Sequence, residues 1–277
     1  MRAMHAAQPF RIAQVSDAHL SPRVPGFEAN FDRVAAAVRV ARPDLMVATG
    51  DLSLDGAGDP AELRHARERH ASIGLPWVAI PGNHDVGDTA LLPQKQPVGA
   101  ARLAAWEAVF SAGGFVRDVP GWRLVGLDTQ SLPDACGAAQ WDRLREAAAG
   151  AERVALFLHK PLMVDAEEEQ QHGPWALLPE ARRRLLGLLR PAFVASGHVH
   201  QWRDHAPGGL RQVWAPATSF ILGDRFQRRH GEKCLGWVEH ILHPDGRAEH
   251  HLRRVGGLVP HDLGEMPEVY GPHTPLA

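Results

Sequence analysis

Short apolar runs alternate with helical stretches along most of this chain of 277 residues. The sequence predicts strands at Phe10–Val15, Leu45–Ala48, Trp77–Ile80, Arg123–Leu127, Val154–Leu158 and Ala192–Ala195, and helices at Phe31–Val40, Ala61–Ser72, Ala101–Phe110, Ala139–Ala148 and Glu180–Leu189. Helices between strands act as crossover connections, which favour parallel pairing and place ligand sites at the carboxyl ends of strands. The predicted fold class is therefore α/β.

The pattern changes after His205, where three further strands are predicted without helices between them: Leu210–Ala215, Trp237–Leu242 and Ala248–Arg253. We expect these strands to extend a sheet, because no linker or repeat separates them from the rest. The chain is thus predicted to be one domain over residues 1–277. Its motif-bearing core lies at about 8–205 and its strand-rich extension at about 206–277.

Polar clusters follow five of the predicted strands directly. They are Asp17-Ala-His19, Gly50-Asp51, Gly82-Asn83-His84-Asp85, His159 and Gly197-His198-Val199-His200. Short motifs with histidine arise easily by chance in a chain with 17 histidines. Asparagine occurs only at Asn30 and Asn83, however, so composition alone would give Gly-Asn-His-Asp in well under about one such chain in a thousand. The ordered set favours a functional site over histidines that merely fill the core.

The residue types in these clusters indicate metal-assisted hydrolysis of a phosphate ester. Imidazole nitrogen with carboxylate or amide oxygen suits manganese, iron or zinc, and the absence of thiolate disfavours a closed structural zinc site. Two such ions need a carboxylate that can contact both. Water held between them becomes acidic enough to supply hydroxide near neutral pH.

The ordered pattern resembles the calcineurin-like metallophosphoesterase superfamily, whose motifs are D-x-H, G-D, G-N-H-[DE], H and G-H-x-H. The resemblance implies a four-layer α/β/β/α sandwich, with two mixed sheets face to face and helices outside. It also implies two divalent or mixed-valence metal ions. The implied roles are one metal bound by Asp17, His19 and His200, the other by Asn83, His159 and His198, a bridge at Asp51, leaving-group assistance by His84, and orientation of the His84 imidazole by Asp85.

Residues that flank the motifs narrow the class of substrate that the resemblance implies. Asp55 stands where a phosphoprotein phosphatase would have a phosphate-clamping arginine. The Gly-Asp-Leu-Ser-Leu-Asp-Gly stretch is more similar to the class III cyclic nucleotide and glycerophosphodiester phosphodiesterases. The resemblance therefore implies hydrolysis of small phosphodiesters by metal-bound hydroxide. A phosphomonoesterase acting on a small metabolite and a catalytically idle binding scaffold stay as alternatives.

The sequence does not determine the role of one residue and two segments near the motifs. Lys160 replaces the second histidine of the His-His-Pro motif in those relatives, and it would either face the substrate or, as the sequence favours, point to solvent. The loop 164–179, with its acidic run at 167–169, is the first candidate for a substrate-selecting lid. The segment Ala215–Phe220 is a second candidate wall. Histidines after 229 are interpreted as exposed strand or turn positions.

Composition restricts the partners and the location. Basic residues are scattered and the formal charge is −2, which argues against nucleic acid as the main ligand. Cys136 and Cys234 are too few for a disulfide scaffold. The sequence shows no targeting segment or stretch of apolar residues long enough for a membrane span, so a cytoplasmic enzyme with a small phosphoester substrate is expected. A homo-oligomer is left open.

Overall fold

The computed structural model describes residues 8–165 and 175–276. Along the chain, the strands are β1 Phe10–Val15, β2 Leu45–Thr49, β3 Trp77–Ile80, β4 Phe115–Val119, β5 Trp122–Gly126, β6 Val154–Phe157, β7 Phe193–Ser196, β8 Arg203–His205, β9 Arg211–Trp214, β10 Phe220–Ile221, β11 Trp237–Leu242, β12 Ala248–Arg253 and β13 His261–Asp262. The α-helices are α1 Pro25–Ala41, α2 Pro60–Ala71, α3 Asn83–Val86, α4 Ala100–Phe110, α5 Ala138–Ala148, α6 Pro179–Leu188 and α7 Pro267–Tyr270.

The first large sheet has the strand order β12-β11-β1-β2-β3. Its β1, β2 and β3 pair in parallel, whereas β11 joins β1 antiparallel and β12 joins β11 antiparallel. The carboxyl ends of β1, β2 and β3 consequently lie side by side at one edge. The chain leaves these three ends as the segments that contain Asp17, Asp51 and Asn83.

The second large sheet has the order β4-β5-β6-β7-β9-β8. Strands β5, β6, β7 and β9 are parallel, and β4 and β8 close the two edges antiparallel. His159 follows β6, and His198 and His200 follow β7. The second sheet therefore delivers its histidines from the ends of two neighbouring strands.

Alternation of side chains along the strands builds the four layers. In β2, Leu45 and Val47 enter a core with Leu124 and Phe157 of the second sheet, while Met46 points the other way. Helices α1, α2 and α4 cover the outer face of the first sheet, and α5 and α6 cover that of the second. The predicted four-layer α/β/β/α sandwich with two mixed sheets is confirmed.

The structure differs from the sequence-based prediction in several elements. Strands β8, β10 and β13 were missed because they are only two or three residues long, and β4 was missed because its polar centre Arg117-Asp118 breaks the apolar pattern. The predicted late strands do extend the sheets. Two late histidines, His240 and His250, are buried rather than exposed. The two rings hydrogen-bond to each other, and His240 also hydrogen-bonds to Gln14 Oε1 at 3.0 Å.

Within the described ranges, no helix combines the length and apolar character that crossing a membrane requires.

Candidate metal centre

Most of the candidate ligands share an unusual backbone conformation. Positive φ angles occur at Asp17 (54°), His19 (44°), Asp51 (50°), His198 (68°) and His200 (57°). This left-handed region is rare for residues with a Cβ, costs about 1–3 kcal/mol each, and clusters at functional sites. Each residue stands just after a strand end, where the sharp change of direction turns its side chain across the edge of the sheets.

Asp17, His19 and His200 form the first ligand group, and one ligand atom from each lies within 4.8 Å of the other two. The Nδ1 of His200 lies 3.3 Å from the carbonyl oxygen of Phe220, and the Nδ1 of His19 lies 2.8 Å from the hydroxyl oxygen of Tyr270. If Nδ1 is protonated in both rings, each Nε2 carries a lone pair, and these two nitrogens lie 3.3 Å apart. Such an arrangement is repulsive unless a cation lies between them, so the group fits a metal ion.

His159, His198 and Asn83 form the second group. His159 donates its Nδ1–H to the carbonyl oxygen of Thr49 at 2.8 Å, so the neutral form of the ring has its lone pair on Nε2. That Nε2 lies 3.2 Å from Asn83 Oδ1 and 3.2 Å from His198 Nδ1. Asp51 Oδ2 is 3.3 Å from the same nitrogen. Nitrogen and oxygen acceptors thus converge on one point, as a second cation requires.

The Asp51 carboxylate lies between the two groups. Its Oδ2 is 3.3 Å from His159 Nε2 and 3.8 Å from His19 Nε2, while its Oδ1 accepts the backbone N–H of His84 at 2.8 Å. One oxygen therefore fixes the side chain and the other faces both ligand groups. The geometry fits the predicted bridging carboxylate.

Glycines in the motifs make room for these carboxylates. A Cβ on Gly82 would overlap Asp51 Oδ1, and a Cβ on Gly197 would overlap Asp17 Oδ2. Gly50 combines a φ of 89° with a backbone so close to the His159 ring that a Cβ would meet Nδ1. The glycines of the Gly-Asp, Gly-Asn-His-Asp and Gly-His-x-His motifs therefore have a steric role beside the ligands.

The charge of Asp51 makes this site attractive to a cation. Burial acts to lower the pKa of His159, but the charge of Asp51 and its hydrogen bond outweigh burial and raise that pKa to about 9. Burial and the neighbouring His84 hold the pKa of His19 well below 6.5, so His19 is neutral at pH 7. A metal ion and the proton on His159 would compete for the same lone pair.

The seven candidate ligands, dispersed in sequence from Asp17 to His200, thus converge at one edge of the two sheets. Neither Cys136 nor Cys234 belongs to these groups. Imidazole, carboxylate and amide donors without sulfur suit manganese, iron or zinc. A third combination, His19 with Asp51 and His84, also satisfies the 4.8 Å limit, so His84 is close enough to be a ligand itself.

His84 is held so that one ring nitrogen faces the open side of the site. Its Nδ1–H donates to the carbonyl oxygen of Leu54 at 3.0 Å, and its backbone N–H donates to Asp51. No residue of the described ranges hydrogen-bonds to its Nε2. Half-buried and lining a cavity, His84 can direct Nε2 to a bound phosphate ester.

The predicted role of Asp85 is wrong, because its carboxylate does not contact the His84 imidazole. Oδ1 accepts from the N–H (2.9 Å) and hydroxyl (2.6 Å) of Ser53, and Oδ2 accepts from the N–H groups of Gly82 (2.9 Å) and Leu52 (3.2 Å). Burial raises the pKa of Asp85 to about 6, whereas these bonds favour the charged form. Asp85 ties the loop after β2 to the first turn of α3, and the carbonyl of Leu54 orients His84 instead.

This correction predicts a stability effect. Asp85→Asn replaces one acceptor oxygen by an NH₂ that would face N–H donors, so we expect the free energy of unfolding to fall by about 2–4 kcal/mol. Urea unfolding of the metal-free protein measures it. The control Asp142→Asn alters an exposed carboxylate and should change stability by less than about 0.5 kcal/mol. Unchanged stability with a shifted pH profile of kcat would restore the sequence-based role.

Lys160 does not point to solvent, so the interpretation favoured by the sequence is wrong. Its side chain is 3% exposed, and Nζ lies 2.6 and 2.7 Å from the two carboxylate oxygens of Asp88. Burial lowers the pKa of Lys160, and the charge of Asp88 opposes that shift. The pair anchors the segment 88–98, whose ends meet where Val98 N–H donates to the Asp88 carbonyl.

A cavity of about 450 Å³ opens beside Asn83 and His84. Its walls come from Arg23, Leu54, Asp55, Asp88, Gln94, Lys95, Gln96, Val269 and Tyr270. Of the predicted lid, residues 166–174 lie outside the described ranges, and Trp175 lies with its ring 6.0 Å from that of His198. The second predicted wall, Ala215–Phe220, is buried, and its Phe220 packs against the rings of His19 and His200. No motif indicated the walls that come from Asp88, residues 94–96 and the C-terminal residues Val269 and Tyr270.

Comparison with known families agrees with this geometry. The family model for calcineurin-like phosphoesterases matches residues 10–202. The chain belongs to this family. The match includes every candidate ligand, from Asp17 to His200, and the family is one of hydrolases, which confirms the predicted enzyme class.

Similar proteins extend the comparison over nearly the whole chain. It is 30% identical over 269 residues to the 3′,5′-cyclic adenosine monophosphate phosphodiesterase CpdA of Pseudomonas aeruginosa, covering 90% of this chain and 91% of that protein. It is 28% identical over 255 residues to a probable cyclic nucleotide phosphodiesterase of a Synechococcus species, covering 87% and 90%. A dimetal phosphatase from Danio rerio shares the fold, with a TM-score of 0.59, 13% identity and coverage of 92% and 98%.

Proposed function

We propose that this chain is a dinuclear metal-dependent phosphodiesterase that hydrolyses small phosphodiesters of the cyclic nucleotide type. One observation supports this above the others: two groups of buried ligand atoms share Asp51 and lie beside His84, at the mouth of a cavity. The names of the two similar proteins, both cyclic nucleotide phosphodiesterases, support the same substrate class. Glycerophosphodiesters fit the same chemistry.

Asp17, His19 and His200 would hold one ion, Asn83, His159 and His198 the other, and Asp51 would contact both. Manganese, iron or zinc bound there would supply Lewis acidity toward the phosphoryl oxygens and lower the pKa of water toward neutrality. Asp17 and Asp51 are the only carboxylates among these ligands, so their two negative charges would cancel half of the positive charge of two divalent ions. The excess positive charge would favour an anionic substrate.

The chain's own residues would bind and protonate the substrate. In its doubly protonated form His84 would donate the Nε2 proton to the departing oxygen and become neutral, while the Leu54 carbonyl keeps Nδ1–H in place. The cavity next to it is large enough for a nucleoside-sized group. Two basic side chains line this cavity. Arg23 donates a hydrogen bond to Glu62, whereas Lys95 has no ion pair within the described ranges.

The single domain predicted over residues 1–277 stays our proposal. It is supported by the way that β9, β11 and β12 of the extension lie within the same two sheets as the motif-bearing strands. Cytoplasmic location and a homo-oligomer remain predictions from the sequence.

The proposed activity is tested with metal-free protein, prepared by chelation and restored with Mn²⁺. We expect kcat/KM for bis(p-nitrophenyl) phosphate to exceed that for p-nitrophenyl phosphate by about tenfold or more, since the second ester group adds contacts in the cavity. Hydrolysis of 3′,5′-cyclic AMP is then measured on the same sample. Preference for the monoester would support the phosphomonoesterase alternative. No turnover with manganese, iron or zinc would support the binding scaffold.

A further inference from the structure

We propose that Tyr270 is a positioning residue of the metal centre, whose hydroxyl keeps His19 in the tautomer that presents its Nε2 lone pair to the ion. Tyr270 is the only tyrosine in the chain and lies well outside the stretch 10–202 that the family model matches. The inference rests on the proposed function in taking His19 as a metal ligand.

The hydrogen bonds of the Tyr270 hydroxyl determine the tautomer. The hydroxyl has one proton, and it lies 3.1 Å from the carbonyl oxygen of Leu54, which can only accept. For both contacts to be hydrogen bonds, the hydroxyl must donate its proton to Leu54, and its oxygen is then left as the acceptor for the imidazole. In that arrangement His19 Nδ1, 2.8 Å from that oxygen, donates to it and is the protonated nitrogen of the ring.

This assignment fixes the other nitrogen of the same ring. A neutral imidazole with a proton on Nδ1 has a lone pair on Nε2. That Nε2 faces His200 Nε2 at 3.3 Å and Asp51 Oδ2 at 3.8 Å, in the middle of the candidate centre. Hydrogen-bond partners that set the tautomer and ring orientation of metal-binding histidines typically account for about 10–100-fold in metal affinity.

The C-terminal segment 261–271 is held firmly enough to position the hydroxyl. Its strand β13 pairs in parallel with β10, and its Leu263 and Met266 pack in an apolar cluster with Phe27 and Phe220. Helix α7 ends at Tyr270, and Gly271 caps it with a φ of 85° and a backbone N–H that donates to the carbonyl oxygen of Pro267. The tyrosine therefore enters the site from a packed element.

Tyr270 also connects the ligand group to His84. The Leu54 carbonyl that accepts from Tyr270 accepts from His84 Nδ1 as well, at 3.0 Å, and the two rings pack with centroids 4.8 Å apart. One carbonyl with two lone pairs thus orients both side chains. Phenylalanine at position 270 would keep the ring packing and remove only the hydroxyl, which makes it the variant of choice.

The test compares wild type with Tyr270→Phe by two measurements. The first is the ¹⁵N spectrum of the His19 ring in the metal-free protein, where we expect the Nδ1-protonated form to lose its dominance because its acceptor is gone. The second is Mn²⁺ titration, where we expect one ion to bind about 10–100-fold more weakly and the other to be unaffected. Neither measurement depends on turnover, so failure of the proposed diester substrate would not alter the outcome.

Thr89→Val is the matched control, because Thr89 neither lines the cavity beside His84 nor belongs to the ligand groups. It also removes a buried hydroxyl, one that donates to Asp134 Oδ2 at 2.6 Å, while keeping a similar shape. We expect the His19 spectrum and the affinity for both ions to match wild type in this variant. An unchanged His19 tautomer in Tyr270→Phe, or unchanged affinity for both ions, would overturn the inference.

Discussion

Asp51→Asn should lower kcat/KM by about a thousandfold, or ~4 kcal/mol of transition-state stabilisation, and should reduce the bound metal from two ions to one or none. The reason lies in the two separate duties of the carboxylate. Oδ1 accepts the His84 backbone N–H, and Oδ2 faces both ligand groups. An amide that keeps the first bond must turn its NH₂ toward both ions, and an NH₂ group cannot coordinate a cation.

The measurements are metal content by elemental analysis and steady-state kinetics on the diester. Asp44→Asn is the matched control, because it makes the same change at the opposite end of β2, on an exposed side chain that accepts from Arg11 N–H. We expect two ions and activity within about twofold of wild type in the control. If Asp51→Asn still bound two ions, Asp51 would not be shared between them.

His84→Ala should lower kcat by about 10²–10⁴-fold while both ions stay bound. The expected loss comes from the proton that His84 Nε2 would deliver to the leaving oxygen. The effect should be larger on a cyclic nucleotide, whose leaving group is a basic alkoxide, than on bis(p-nitrophenyl) phosphate, whose nitrophenolate departs without help. Comparing the two substrates therefore separates proton donation from a general disturbance of the site.

His65→Ala provides the control for this second experiment. His65 lies on α2, pairs with Glu28 at 2.8 Å and has no contact with the metal groups, so we expect turnover close to wild type. Metal content is measured in parallel for both variants. Loss of an ion in His84→Ala would instead assign His84 as a ligand, in keeping with the third grouping of His19, Asp51 and His84.

Local patterns in the sequence predicted much of the framework. Strand bounds at Phe10–Val15, Trp77–Ile80 and Trp237–Leu242 agree with the structure to the residue, because short stretches rich in apolar residues and bounded by proline, glycine or serine are local features. The sequence also predicted that clusters at strand ends would meet, since parallel strands bring their carboxyl ends to one edge. What it could not predict was the partner of each side chain within that edge.

The sequence by itself determined the alternation of strands and helices, and the order and chemical type of the candidate ligands. Only the tertiary structure decided that Asp85 bonds to Ser53 rather than His84, that Lys160 is buried against Asp88, and that Tyr270 reaches His19 across 251 positions. The physical reason is that periodicity fixes which face a residue occupies. The partner that satisfies a buried polar atom is instead fixed by which distant segments pack beside it.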